Sequence, residues 1–426
     1  MNYSGKLAVA AAAAVLCAGS GAVVHADPVA DFYKGKRMTM YIGYSSGGGY
    51  DRYARTIARH MGRHIPGQPS ITSKNQPGAG SMRLANELYN TIAQDGTAIG
   101  TVSRGIPAEV LQGNKKARYE PRKFNWIGSA NNETSTCVVW HSSEIHTLQD
   151  FLNKPIVVGG TGPSADTDVF PRVLNNVVGT KLRIVTGYPG GNDINLALER
   201  GEVQGRCGWS WSSVKSTRAK WLKEGKIRIL LAMSVEKNDE LKDVPFVMDL
   251  AKSDRDKKIL QLIFSRQAIG RPYLTGPKVP ADRVAALRAA FMATMKDPKF
   301  MKDANKGKLE ITPISGEAVQ KLIGEMFDNP SDLIAASNEA ATSESRTQVS
   351  KAVIPVVTLS GEITKVQRKG SRVAWKGGVK KGKLRVGKGT AIMVGGKKAK
   401  PAALKAGMAC DFKVQGVETA LAITCK

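Results

Sequence analysis

Twice in its first quarter the chain repeats one local unit: a short apolar run, a glycine-rich turn, then a stretch of helical period. The first turn, Ser45-Ser46-Gly47-Gly48-Gly49-Tyr50-Asp51, follows the run 38–44; the second, Asn75-Gln76-Pro77-Gly78-Ala79-Gly80-Ser81, follows 71–74. Ala54, Ile57, Ala58 and Met61 recur at helical spacing after the first turn, and Leu84, Ala85, Leu88, Tyr89 and Ile92 after the second. Asp51 and Ser81 stand where helix N-caps belong. A strand–glycine–helix turn leaves backbone N–H groups unpaired at the positive end of a helix dipole, which suits an anion. Two such units in succession put both helix starts at one edge of a sheet. The expected ligand group is a carboxylate.

The same alternation continues to about Pro330. Strands are expected at 38–44, 71–74, 98–102, 126–129, 138–140, 156–159, 183–186, 204–208 and 227–233, and later helices at 195–200, 281–295 and 317–327. Pro280 and Asp282 start one of these helices well, and Asp297-Pro298 stops it. The fold class is therefore α/β with mostly parallel sheets. Beyond Asn329-Pro330 the character changes. Residues 337–351 are rich in Ser, Thr, Ala and Glu and read as a linker or solvated helix. From Val357 onward, β-type runs at 358–366, 372–375, 384–386, 391–394, 411–414 and 420–424 are separated by glycine and lysine turns. That pattern predicts a small all-β barrel domain, OB-like or SH3-like.

The N-terminus carries Lys6, an apolar run over 7–24 and Ala26 before Asp27. This reads as a secretory signal peptide cleaved after Ala26; Gly19, Ser20 and Gly21 interrupt the run and disfavour a membrane anchor. Leu16 makes Cys17 a poor lipidation site. Export permits disulfides. Cys137, Cys207, Cys410 and Cys425 remain, with three possible connectivities. Cys410 and Cys425 are close in the chain and are expected to pair, leaving Cys137 with Cys207. No Cys-x-x-Cys or His-Glu-x-x-His motif occurs, and neither a metal nor a cofactor is expected. The formal net charge is +27, and residues 357–426 alone hold 16 Lys/Arg against three Asp/Glu.

Three motifs invite an enzyme reading. Gly43-Tyr44-Ser45-Ser46-Gly47 matches a nucleophile elbow with Ser45 as nucleophile, but no histidine follows His146 to complete the hydrolase order. Gly62 to Gly67 has P-loop spacing, yet Gln68 stands where lysine is required. Neither glycine turn completes a dinucleotide fingerprint. Further glycine turns at 159–164 and 188–193 also lie between strand and helix, and four such turns suit a ligand clamped between two α/β lobes. His60 and His64 have metal-ligand spacing, but Arg59 and Arg63 beside them point to a solvated basic face. Asp166 and Asp168 read as capping groups rather than an acid/base pair. Trp209 and Trp211 are equally compatible with a pocket wall and with the core.

The glycine turn followed by Asp51, the Asn75–Ser81 motif, Asp95-Gly96 before a strand, the turns at 159–164 and 188–191, and Pro280-Ala281-Asp282-Arg283 resemble the solute receptors of tripartite tricarboxylate transporters, the Bug proteins. The resemblance spans about residues 31–330. It implies a type II-like, two-lobed periplasmic binding protein, with lobe 1 at 27–130, resumed at 240–330, and lobe 2 at 131–239; the linker at 331–356 and the extra β domain at 357–426 lie outside the resemblance, which does not explain them. It implies a monomeric, non-enzymatic receptor that passes an organic carboxylate to membrane permease subunits. Carried onto this chain, the ligand-binding residues are Ser45, Ser46, Gly47, Gly48, Pro77, Gly78, Ala79, Ser81, Ser103, Thr161, Gly162, Ser164 and Asp166, with Asp51 capping its helix. Ser45, Ser46, Tyr50 and Gln76 depart from the family pattern and imply a ligand bulkier or more polar than a simple dicarboxylate. The competing reading is a surface protein whose basic C-terminal module binds an anionic polymer. Trp375 and Phe412 are the module's only aromatics, few for a stacking platform.

Overall fold

The computed structural model describes residues 27–353, 356–367, 370–378, 380–415 and 419–426; the signal peptide read in residues 1–26 lies outside them. Among the described residues no helix is long and apolar enough to cross a membrane.

The first lobe is built on a sheet ordered Ile314–Ser315, Asn125–Ser129, Pro272–Thr275, Ala98–Thr101, Arg37–Ile42, Ser70–Asn75. Arg37–Ile42 runs parallel to both Ser70–Asn75 and Ala98–Thr101, so each crossover must carry a helix. These are Gly49–His60 and Met82–Asn90, the two helices that follow the glycine turns. Met38, Met40 and Ile42 alternate inward toward Ile57, Met61 and Phe291. Leu84, Leu88, Trp126 and Ile323 fill a second core. Packing on both faces is what an apolar parallel sheet requires.

The second lobe has the order Val349–Lys351, Leu182–Thr186, Ile156–Gly159, Gly205–Ser210, Ser135–Trp140, Ile227–Met233. The disulfide Cys137–Cys207 joins the adjacent strands Ser135–Trp140 and Gly205–Ser210. Two of the expected boundaries are corrected. Helix Asp254–Phe264 packs its Ile259, Leu260, Ile263 and Phe264 into the second-lobe core, with Phe264 4.6 Å from Phe170, so the chain returns to the first lobe after Phe264 rather than at 240. The region read as a linker also belongs to this lobe. Helix Ser331–Thr342 buries Ala340 and Ala341 there, and Val349–Lys351 joins the sheet beside Leu182–Thr186. Small side chains let that helix sit close to the core, a role its polar composition hides.

The C-terminal sheet closes on itself. Val356–Gln367 pairs with Arg372–Gly377 and Ala409–Gln415; Lys380–Val394 pairs with Arg372–Gly377 and, in parallel, with Thr419–Cys425. This is a five-stranded barrel of the OB-like kind, and the runs expected at 384–386 and 391–394 are one strand. Ile363, Val373, Trp375, Phe412 and Ile423 form its core, and Cys410–Cys425 links neighbouring strands.

Candidate functional site

The glycine turns meet across the cleft between the lobes. In the first turn, Ser45 Oγ donates to Asp193 Oδ2 of the second lobe at 2.5 Å, and Ser45 N donates to the Pro189 carbonyl at 3.1 Å. In the second, Gly80 N donates to the Thr161 carbonyl at 3.1 Å. Ser103 Oγ donates to the Ser164 carbonyl at 3.0 Å. The two turns are tied together by Asn75, whose amide nitrogen donates to the Tyr44 carbonyl at 3.0 Å and to Asp51 Oδ1 at 2.7 Å.

The caps expected at Asp51 and Ser81 work differently. Gly48 is the N-cap of Gly49–His60; Asp51, two residues beyond the first helical residue, reaches back to accept from Gly47 N at 3.0 Å. Ser81 does hold the N-cap position of Met82–Asn90, but in a left-handed conformation (φ 77°) without capping through its side chain. Its Oγ accepts from Ser103 N at 2.6 Å instead, which anchors the chain leaving the next strand.

Behind these contacts lies a cavity of about 50 Å³. Gly48, Ser103, Thr161 and Asp166 line it; Ser45, Ser46, Gly47, Pro77, Gly78, Ala79, Ser81, Gly162 and Ser164 do not, and several of them join the lobes or brace the turns. Four helices begin at its wall: Gly49–His60, Asp166–Val173, Gly191–Glu199 and Trp211–Lys223 contribute Gly49 and Tyr50, Asp166 and Thr167, Gly191, and Ser213. First-turn amides have no acceptor within their own helix, so the cavity faces N–H donors and positive dipole ends from both lobes; in Trp211–Lys223, however, Trp211 N and Ser212 N already donate to the Thr134 carbonyl and to Glu133 Oε1.

Sequence reasoning missed the arginines. Arg104 crosses the cleft to Asp166, Nε to Oδ2 at 2.6 Å, and also donates to Gly270 O, Ser135 Oγ and Ser210 Oγ. Burial opposes its charge, but Asp166, Tyr50 and Glu133 together outweigh this and hold the guanidinium above its ordinary range. Arg271 pairs with Glu133 at 3.1 Å, donates to Ser213 Oγ at 2.7 Å and lies over the Tyr50 ring at 4.6 Å. Arg206 sits in strand Gly205–Ser210 and stacks 4.5 Å from the Trp209 ring. Its visible signal is a lone charge inside a strand buried along its whole length. Trp209 walls the cavity, whereas Trp211 donates its ring N–H to Glu240.

Other singled-out residues lie elsewhere. His60 pairs with Asp303 at 3.0 Å and His64 with Asp297 at 2.7 Å, so the two rings serve separate carboxylates. Asp168 accepts from Gly162 N at 2.8 Å and bonds Thr186, bracing the turn beside the cavity.

Two α/β lobes closed over a cleft lined by helix starts define a solute-binding protein of the periplasmic type. The chain belongs to the tripartite tricarboxylate transporter receptor family (TctC), whose model matches residues 53–338. A Cupriavidus necator relative, described as a UPF0065 protein in the gbd 5' region, is 26% identical over 318 residues, covering 72% of this chain and 89% of the relative. The fold is shared with the periplasmic binding protein BugD at 18% identity (TM-score 0.60; 74% of this chain, 100% of BugD). It is also shared with MatC from Rhodopseudomonas palustris, solved with bound malate, at 18% identity (TM-score 0.56; 70% of this chain, 99% of MatC).

Proposed function

We propose that this protein is a periplasmic, non-enzymatic receptor that captures a carboxylate-bearing organic solute between its lobes and presents it to membrane permease subunits. The observation that carries the reading is the convergence of four helix N-termini on one cavity between the lobes. Amides fixed at helix starts bind an anion through charge-assisted hydrogen bonds, which strengthen when closure excludes water. Family membership and the malate bound in MatC support the choice of a carboxylate. The small, donor-rich cavity favours a more polar ligand over a bulkier one. Ser45 donates to a carboxylate of the facing lobe, which fits a role in closure rather than nucleophilic attack.

Calorimetric titration with a panel of mono-, di- and tricarboxylates tests this reading, with Trp209 fluorescence as a second signal. Micromolar or tighter binding of at least one carboxylate is expected. Binding of uncharged solutes alone would sink the reading. Trp375 and Phe412 are core residues of the barrel, which leaves the polymer alternative resting on charge alone.

A further inference from the structure

Arg206 is the one guanidinium lining the cavity that has no carboxylate partner among the described residues. Arg104, which also lines it, is neutralised by Asp166, and Arg271 behind the wall is neutralised by Glu133. Arg206 is 8% exposed; among the described residues it donates only to the Gly191 carbonyl at 3.0 Å and to Asn195 Oδ1 at 2.9 Å, both neutral acceptors. Its Nε is buried with no hydrogen-bond partner. Burial, then the charges of Arg218 and Arg271, pull its pKa down to about 9.

A buried cation without a counter-charge is costly, so a fold keeps one where a ligand completes it. The surrounding chain makes room for this side chain. A Cβ on Gly191 would lie 2.3 Å from Arg206 Nη2, and the Trp209 ring supports the guanidinium from the other side. Arg206 belongs to the second-lobe wall, whereas the helix start at Gly48–Tyr50 belongs to the first. A ligand held at both carries negative charge at both ends.

We propose that Arg206 is the specificity-determining counter-charge for a second carboxylate, so that the receptor selects dianionic over monoanionic solutes. This rests on the carboxylate-receptor reading above.

The test is calorimetry on the full-length mature protein with length-matched pairs: malonate and propionate, succinate and butyrate, adipate and hexanoate. In the unmodified protein at least one dicarboxylate is expected to bind more tightly than its monocarboxylate partner. Arg206→Gln is expected to shrink that affinity ratio roughly 10- to 100-fold, the range of hydrogen bonds to a charged group. Arg206→Lys keeps the charge without the fork and is expected to fall between the two. If Arg206→Gln does not fold, as judged by thermal unfolding, the Arg206→Lys ratio decides. An unchanged ratio, or equal losses for both members of a pair, would overturn the inference and leave the carboxylate reading intact. Failure of the unmodified protein to bind any acid in the panel would overturn both.

Discussion

Arg104 of the first lobe and Asp166 of the second form an ion pair across the cleft with both side chains buried, 2% and 6% exposed. Removing one member leaves the other charged and uncompensated, a penalty of about 3–5 kcal/mol when it stays buried. Opening the lobes lets water relieve that penalty. Asp166→Asn is therefore expected to shift the protein toward an open form, seen as a larger radius of gyration by small-angle scattering, with ligand affinity at least about 10-fold weaker. A variant as compact as the parent would show that the pair does not govern closure.

Gly105 offers a way to block closure without touching the cavity lining. Its backbone needs no left-handed conformation, but a Cβ there would lie 2.3 Å from the Ser164 carbonyl oxygen of the facing lobe. Gly105→Ala should fold normally and then fail to close fully. Overpacking of this kind costs about 1–3 kcal/mol, which corresponds to roughly 5- to 150-fold in affinity. Ligand-induced compaction equal to that of the parent protein would contradict the assignment.

Burial raises the pKa of Glu109 above the ordinary glutamate value of 4.5, against a hydrogen bond from Asn114 and the charges of Arg266 and Arg172. Folding thus favours the protonated carboxyl. The stability this supplies is complete below pH 4.5 and is lost as pH rises through the raised folded value. Denaturant unfolding from pH 4 to 7 should show the parent losing stability relative to Glu109→Gln as pH increases. A pH-independent difference between the two proteins would refute this.

Cys410 and Cys425 close a loop with a sequence separation of 15 within the barrel. Replacing both with serine should cost the barrel about 3 kcal/mol on the chain-entropy account. Hydrogen exchange is the suitable measurement, because protection should fall across 356–426 while the two α/β lobes keep theirs. Unchanged protection there would mean that the core around Trp375 and Phe412 suffices.

Much of the architecture was legible because strand period, glycine turns and helix starts are local signals. The segment 156–159 was read with the bounds it has, and 227–233 likewise. Asn75 was readable as part of a motif, but its task of joining Asp51 to Tyr44 was not. The segment 337–351 was misread because its polar composition says little about a helix that packs through Ala340 and Ala341.

By itself the sequence determined that two strand–glycine–helix units would present backbone donors at one sheet edge, since turn chemistry and helical periodicity depend on near neighbours. Only the tertiary structure decided which residues line the cavity between the lobes. Ser45 and Ser164 engage the opposite lobe, while Tyr50, Ser213 and Arg206 line the cavity. That assignment depends on how two lobes meet, and so on contacts such as Arg104 to Asp166 between residues far apart in the chain. Charge compensation is likewise a property of space. Whether Arg206 is paired or waiting for a partner appears only when every carboxylate around it has been placed.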